Sequence, residues 1–333
     1  MTALSLPALI GLIVVALAFD LLNGLHDTAN SIATMVSTRM LRPRYAVAWA
    51  AFFNFIAFLL FGVHVARTVG VGLIATDAID AHVIFGALMG AISWNLITWW
   101  AGIPSSSSHA LIGGLVGAGV TKAGLASIVW PGLLTTGVFI VLSPLLGFFL
   151  ALFLVLAVSW AFVRANPRTV ESTFKWLQFI AASAISLGHG GNDAQKTMGI
   201  IAVLLFSQGL LGADFYVPFW VVITCQAAMG LGTLIGGWRI VNTVGSKITR
   251  LTPVQGCCAS AAGAIMLFAA TYLGIPVSTT HTVTGSVIGV GAARKLSAVR
   301  WNIATNIVIA WIVTLPASAL MAALFYLASG LMP

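Results

Sequence analysis

The sequence predicts an all-α polytopic membrane protein, built as two inverted-topology repeats with broken helices or helical hairpins at the midplane and roughly 10 to 12 transmembrane segments. Three observations lead there. Of the 333 residues, 60% are hydrophobic and only 7% charged, with a mean hydropathy of +1.06, whereas soluble domains carry about 25% charged residues. Apolar runs near the roughly 20 residues that a 30 Å hydrocarbon core requires recur along the whole length. The chain also repeats its own polar motifs.

Taken in order, apolar segments fall near 7–35, 44–66, 82–101, 106–120, 127–161, 175–206, 216–237, 256–274, 279–293 and 300–330. The opening "MTALSLPALIGLIVVALAFD" has no basic n-region and no small-residue cleavage site, so it reads as a retained first helix rather than a signal peptide. Segments 127–161 and 300–330 are long enough to be bent or split, with Pro131, Pro144 and Pro316 as candidate breaks. Three cysteines, of which Cys257 and Cys258 are adjacent, form no metal-ligand spacing and no disulfide framework.

The net charge of +8 comes from basic residues dispersed in short loops without aromatic interleaving, which excludes a nucleic-acid binder. Topology accounts for them instead. With the N-terminus outside and every segment crossing once, Arg39, Arg42, Arg44, Arg164, Arg168, Lys175, Arg239, Lys247, Arg250, Arg294, Lys295 and Arg300 fall inside. Arg67 and Lys122 fall outside beside Asp77, Asp80 and Asp214, and Lys196 lies within a segment. Treating the two Ser/Thr-rich segments as re-entrant would move Arg164, Arg168 and Lys175 outside, so the charge bias favours crossing. The same pattern puts both chain ends outside.

The repeat is specific. "GIPSSSSHALIGGLVGAG" (102–119) matches "GIPVSTTHTVTGSVIGVG" (274–291), and "GLHDTANSIAT" (24–34) matches "GGNDAQKTMGI" (190–200). These matches align Ser106, Ser107, Ser108 and His109 with Ser278, Thr279, Thr280 and His281. They also align Asp27 with Asp193, His26 with Asn192, and Asn30 with Lys196. Five crossings per half is odd, so the halves lie upside down to each other: residues 1–161, a short cytoplasmic linker 162–174, and residues 175–333. Inverted repeats with a midplane site between broken helices are a common plan of secondary transporters.

A carboxylate at the bilayer centre costs about 2.5–3.5 kcal/mol on insertion scales, so Asp27 and Asp193 need a role or a partner. One reading is a structural pair, with a carboxylate capping a helix or held by Lys196. The other is cation coordination, since hard ions take carboxylate and amide oxygens; Asn30 shares a helical face with Asp27 at i, i+3 and Asn192 adjoins Asp193. Gly24, Gly190 and Gly191 are expected to let each helix open just before its motif and free backbone carbonyls. The hydroxyls of Ser106–Ser108 and Ser278–Thr280 follow a proline at a helix start, where unpaired N–H groups and the positive dipole end favour an anion. Small hydroxyl residues also serve helix packing, which is the competing account. His109 and His281 read as orienting or packing residues, and the glycines of "GGLVGAG" and "GSVIGVG" as close-packing faces. An anion near two buried carboxylates is repelled unless a cation lies between them, so the chemistry is anion:cation cotransport, with Lys196 as a fixed positive charge on the anion side.

At "NGLHDTANSIATMVSTRML" and "LGHGGNDAQKTMGII", and again at "WNLITWWAGIPSSSSHALIGGLVGA", "GGWRIVNTVGSKITRLTPVQG" and "GIPVSTTHT", the sequence resembles the inorganic phosphate transporter (PiT) family over nearly its whole length. The resemblance implies a secondary transporter that imports inorganic phosphate, free or as a metal–phosphate complex, with Na⁺ or H⁺. It implies a dimer in the cell's inner membrane, no covalent cofactor and no enzymatic activity. By position it puts Asp27, Asn30, Asn192 and Asp193 in the ion and phosphate site and Ser106–Ser108 and Ser278–Thr280 in hairpin-like elements; joined to the charge argument above, this assigns Asp27, Asn30 and Asp193 to the cation (Na⁺ or proton) and Ser106–Ser108, Ser278–Thr280, Asn192 and Lys196 to phosphate. "HDTAN" is similar to the bacterial low-affinity permease branch, often described as proton-coupled. An acidic residue common in the family near Ser260 is absent. Three rivals stand beside this reading: a permease for another oxyanion such as sulfate, an intramembrane hydrolase using a serine of Ser105–Ser108 with His109, and a passive anion channel.

Overall fold

The computed structural model describes residues 4–330, so both chain ends, expected outside the membrane, lie outside the described residues. Among these there are twelve α-helices and no strand beyond a single bridge between Ile74 and Ile128. In chain order they are α1 (Leu6–Ser37), α2 (Pro43–Ile56), α3 (His64–Val71), α4 (Ala81–Ala101), α5 (Ser107–Ala123), α6 (Trp130–Ala161), α7 (Pro167–Ser207), α8 (Phe219–Ile235), α9 (Trp238–Asn242), α10 (Pro253–Tyr272), α11 (Thr279–Arg294) and α12 (Trp301–Ser329). Starts follow local chemistry. Proline occupies the first turn of α1, α2, α6, α7 and α10, where its missing N–H would be unpaired anyway. Thr252 and Gln255 close a reciprocal capping box on α10. Glycines end α4 and follow α10 in the left-handed conformation, Gly102 at φ 68° and Gly274 at φ 69°.

Five helices, α1, α4, α6, α10 and α12, are long and apolar enough to cross a membrane, or up to seven spans if each bent pair counts as one: α2 with α3 (82°) and α8 with α9 (65°). The chain is therefore multi-pass. The ten apolar segments expected from sequence are recovered as helices, but not all as independent spans. α5 and α11, which the charge pattern counts as crossings, have 17 and 16 residues, fewer than the roughly 20 of a typical span. Neither long segment splits: Pro144 and Pro316 sit inside continuous helices and Pro131 in the first turn of α6. The expected linker 162–174 is mostly helix, because Asn166 caps α7 through the N–H of Arg168 and Pro167 begins it.

Packing recurs in pairs. α1 lies on α8 and α7 on α2; α5 on α12 and α11 on α6; α4 on α12 and α10 on α6; α4 on α5 and α10 on α11. Each of these contacts thus recurs when both helices are replaced by those six places along the chain. The small-residue faces make these contacts close. A Cβ on Gly117 of α5 would sit 2.1 Å from the Ala319 carbonyl oxygen of α12, and one on the aligned Gly289 of α11 would sit 2.3 Å from that of Phe148 in α6. The predicted packing role of both glycine runs is what the structure shows.

The expected helix opening at Gly24, Gly190 and Gly191 does not occur. α1 and α7 run unbroken through their motifs. These glycines instead admit neighbours: a Cβ at Gly24 would lie 2.2 Å from the Met229 carbonyl oxygen, at Gly190 2.4 Å from that of Asn54, and at Gly191 2.2 Å from the Phe61 ring. The chain is irregular elsewhere, in the extended residues just before α5 and α11.

Candidate functional site

The two aspartate motifs sit about two-thirds of the way along α1 and α7, which pack against each other, and the two Ser/Thr runs begin α5 and α11. All four meet. The Ser107 hydroxyl donates to Asp27 Oδ2 at 2.7 Å, the Thr280 hydroxyl to Asp27 Oδ1 at 3.2 Å, and the Thr279 hydroxyl to Asp193 Oδ2 at 2.9 Å. Asp27 is thus held by hydroxyls from both runs. Asn30 donates to Thr279 and Thr280 at 3.1 and 3.0 Å.

Lys196 is 1% exposed and has three partners: the Asp193 carboxylate, the Ser108 hydroxyl at 2.5 Å and the Val277 carbonyl at 2.9 Å. This lysine ties α7 to the starts of both α5 and α11. It occupies the position aligned with Asn30, whose amide reaches Thr279 and Thr280 in the first turn of α11, whereas the lysine reaches the Val277 carbonyl just before that helix.

Histidines complete the carboxylate shells. His26 Nδ1 lies 2.9 Å from Asp27 Oδ1, and its Nε2 lies 3.1 Å from the Thr98 hydroxyl and 3.3 Å from that of Ser105. His189 Nε2 lies 3.2 Å from Asp193 Oδ2, with its Nδ1 3.3 Å from both Ser31 Oγ and Asn54 Oδ1. Ligand atoms of Asp27, His189 and Asp193 fall within 4.8 Å of one another. Sequence reasoning missed His189, although its i, i+4 spacing to Asp193 in "HGGND" places the two on one helical face. It also missed Asn23, whose Oδ1 accepts from the Ser107 hydroxyl at 2.5 Å.

Not every expected site residue turns its side chain to this cluster. The Ser106 and Ser278 hydroxyls cap α5 and α11, each accepting at 3.2 Å from the N–H of His109 or His281. The Asn192 amide donates to Thr271 at 3.0 Å and to the Ile275 carbonyl at 3.3 Å, fastening the extended segment before α11. His26 does the same for its own half through Ser105 and Thr98. Replacing Ser106 or Ser278 by Ala is therefore expected to lower stability by about 1 kcal/mol each, the worth of a cap, and to leave the activity that depends on the cluster little changed. Ser107→Ala, which strips the donor from Asp27 and Asn23, should impair that activity far more. Thermal midpoints in detergent, set beside activity, separate the two classes.

His109 and His281 meet edge to face, ring centroids 4.3 Å apart, and His281 stacks on Trp311 at 3.7 Å. Neither imidazole has a hydrogen-bond partner among the described residues. The serine–histidine hydrolase reading fails on this geometry, because no serine hydroxyl of Ser105–Ser108 faces an imidazole nitrogen of His109, as nucleophile–base chemistry requires.

The cluster offers carboxylate, amide and hydroxyl oxygens suited to a hard cation, beside the first-turn N–H groups of two helices and an ammonium suited to an anion. It is closed to water: Asp27, Asp193, His189, Ser107, Thr279, Thr280 and Lys196 are all 2% exposed or less.

Residues 23–322 match the model of the phosphate transporter family. A probable low-affinity inorganic phosphate transporter of Rhizobium meliloti (strain 1021) is 71% identical over 328 residues, covering 98% of both chains, and one of Bacillus subtilis (strain 168) is 44% identical over 322 residues, covering 95% of both. Among solved structures, "The sodium-dependent phosphate transporter" superposes with a TM-score of 0.91 at 26% identity, over 98% of this chain and 100% of that one. The relatives are transporters, not enzymes, and their likeness spans both aspartate motifs and both hydroxyl-led helices: the chain belongs to the phosphate transporter family.

Proposed function

We propose that the protein imports inorganic phosphate by symport with a cation, Na⁺ or H⁺, through alternating access. The observation that carries this reading is the meeting of two carboxylates with the hydroxyl-bearing starts of α5 and α11 in one closed cluster. Phosphate is drawn to the first-turn N–H groups of these helices, to the hydroxyls of Ser107, Ser108, Thr279 and Thr280, and to Lys196. In the closed state the hydroxyls of Ser107, Thr279 and Thr280 donate to Asp27 and Asp193, and that of Ser108 accepts from Lys196. A cation placed between Asp27, Asp193, His189 and Asn30 neutralises the carboxylates and releases the hydroxyls to the anion. Neither ion then binds well without the other, which is the electrostatic basis of coupling.

The paired packing of α1–α6 with α7–α12 supports two inverted repeats with the site between them, and the complete burial of the cluster supports an occluded state that opens to either side by movement of one half against the other. The sodium-dependent phosphate transporter it resembles favours Na⁺ as one candidate coupling ion.

Proteoliposomes containing the protein should accumulate labelled phosphate when an inward Na⁺ or H⁺ gradient is imposed, with the two ions and divalent metals varied separately. Accumulation that ignores every cation gradient would indicate a channel and overturn symport. Sulfate competing better than phosphate would assign the site to another oxyanion.

A further inference from the structure

One buried acid takes no part in the cluster described above. Asp20 lies on α1 two helical turns before Asp27, about 10 Å along the axis at 1.5 Å per residue. It is 0% exposed, and neither carboxyl oxygen has a hydrogen-bond partner among the described residues. Its polar neighbours are Asn23, one turn on along the same face, and Thr197 of α7, whose hydroxyl is likewise without a partner. The ionisable groups acting on it are Asp193 and Lys196 of α7, and Cys225 of α8 faces it. Among the described residues no other ionisable group acts on it.

A partnerless carboxylate in the membrane interior is costly as an anion and tolerable as a neutral acid. Two kinds of cation neutralise a carboxylate, a metal ion or a proton. A metal cation needs several oxygens. Here α1 and α7 run unbroken, so their carbonyls remain in the helical ladders, and only one hydroxyl and one amide lie beside the carboxyl. Asp20 belongs to no group of three metal-ligating side chains among the described residues. A proton needs one carboxyl oxygen only.

The position is also connected to the cluster. Asn23 lies beside Asp20 and accepts through Oδ1 from the Ser107 hydroxyl, which also donates to Asp27. A change of charge at Asp20 therefore reaches the candidate phosphate hydroxyl through a single amide.

We propose that Asp20 is a proton-carrying site of the transport cycle, separate from the Asp27–His189–Asp193 cluster and linked to it through Asn23 and Ser107. An O–H bond forms on Asp20 when the protein is open to one side, with hydronium as the donor and water left behind, and breaks when it opens to the other, where water accepts the proton. The proton crosses with phosphate, and no oxidant or reductant is required. The proposal rests on the symport reading and adds to it the carrier of one coupled proton.

The test compares wild type, Asp20→Asn and Asp20→Glu in proteoliposomes, with labelled phosphate and an internal pH dye. Wild type should carry protons inward with phosphate. Asp20→Asn should lose uphill uptake driven by a proton gradient by about tenfold, within the range of ion–substrate couplings, and should lose phosphate-linked proton entry while keeping phosphate counterflow exchange. Asp20→Glu should restore both. Proton-driven uptake and dye response unchanged in Asp20→Asn overturn the proposal. Loss of counterflow in wild type would instead count against the transport reading itself. Should Asp20→Asn fail to fold, infrared spectra of wild type and Asp20→Glu decide. A protonated-carboxyl band that shifts with the substitution supports the proposal, and its absence in both, or an unshifted band, overturns it.

Discussion

Asp193→Asn is expected to abolish phosphate uptake and to destabilise the protein by about 3–5 kcal/mol, the effect of removing one partner of a buried ion pair. Lys196 is 1% exposed, and among the described residues its anionic partner is Asp193; the remaining contacts, to Ser108 and the Val277 carbonyl, are neutral. Neutralising the aspartate leaves a buried ammonium without a counter-ion. The double substitution Asp193→Asn with Lys196→Met removes that charge and should recover most of the lost stability while leaving uptake at background, because both the cation ligand and the anion's fixed charge are gone.

Asp27→Asn provides the contrast. Asp27 has no lysine; it is held by hydroxyls of Ser107 and Thr280 and by His26, and an amide oxygen still accepts from one of them. Its loss should change stability by only about 1 kcal/mol and yet abolish coupled uptake as completely as Asp193→Asn. Denaturation midpoints and gradient-driven uptake on the four proteins test this. Undiminished uptake in both single aspartate variants would remove them from the ion site, and a double variant no more stable than Asp193→Asn would show that the Lys196 charge is not what the aspartate compensates.

The contrast also shows what the sequence made legible. Aligning the two halves paired Asp27 with Asp193 and Ser107 with Thr279, and the structure gives those pairs equivalent bonds, hydroxyl to carboxylate within each half. Alignment by type could not reveal the bonds that cross between halves, such as Thr280 to Asp27 and Lys196 to Ser108, since these depend on how α1, α5, α7 and α11 converge. Nor did it separate capping serines from coordinating ones: Ser106 and Ser278 sit in the same runs as Ser107 and Thr279, and only helix register decides that the first hydroxyl turns back to its own backbone. Asp20 escaped notice because the second half has no acid at the aligned position, where Ser186 stands. A search for echoes passes over a residue without one.

The glycines before each motif carry the remaining disagreement, and they allow a sharp test. If Gly24 were a point of helix opening, Gly24→Ala would stiffen α1 and raise stability by about 1 kcal/mol, the helix-propensity difference. The structure predicts the opposite sign. α1 and α8 cross here in direct backbone contact: a Cβ at Gly24 would lie 2.2 Å from the Met229 carbonyl oxygen, and one at Gly232, across the same interface, 2.0 Å from that of Leu21. Neither carbonyl can rotate away without breaking its own helix, so the two helices must separate. Overpacking of this kind costs about 1–3 kcal/mol, and the separation would pull Asn23 and Asp27 from the Ser107 hydroxyl that joins them. Gly24→Ala and Gly232→Ala should therefore each lower the thermal midpoint and reduce uptake severely. Gly137→Ala in α6, where nothing lies within 4 Å of the added carbon, should keep full uptake and be neutral or slightly stabilising. A midpoint that rises in Gly24→Ala would return the glycine to the role of hinge. A fall in both contact variants, with none at Gly137, would show that the aspartate motif is positioned by the closeness of two unbroken helices, which leaves the extended residues ahead of α5 and α11 as the irregular backbone at the site.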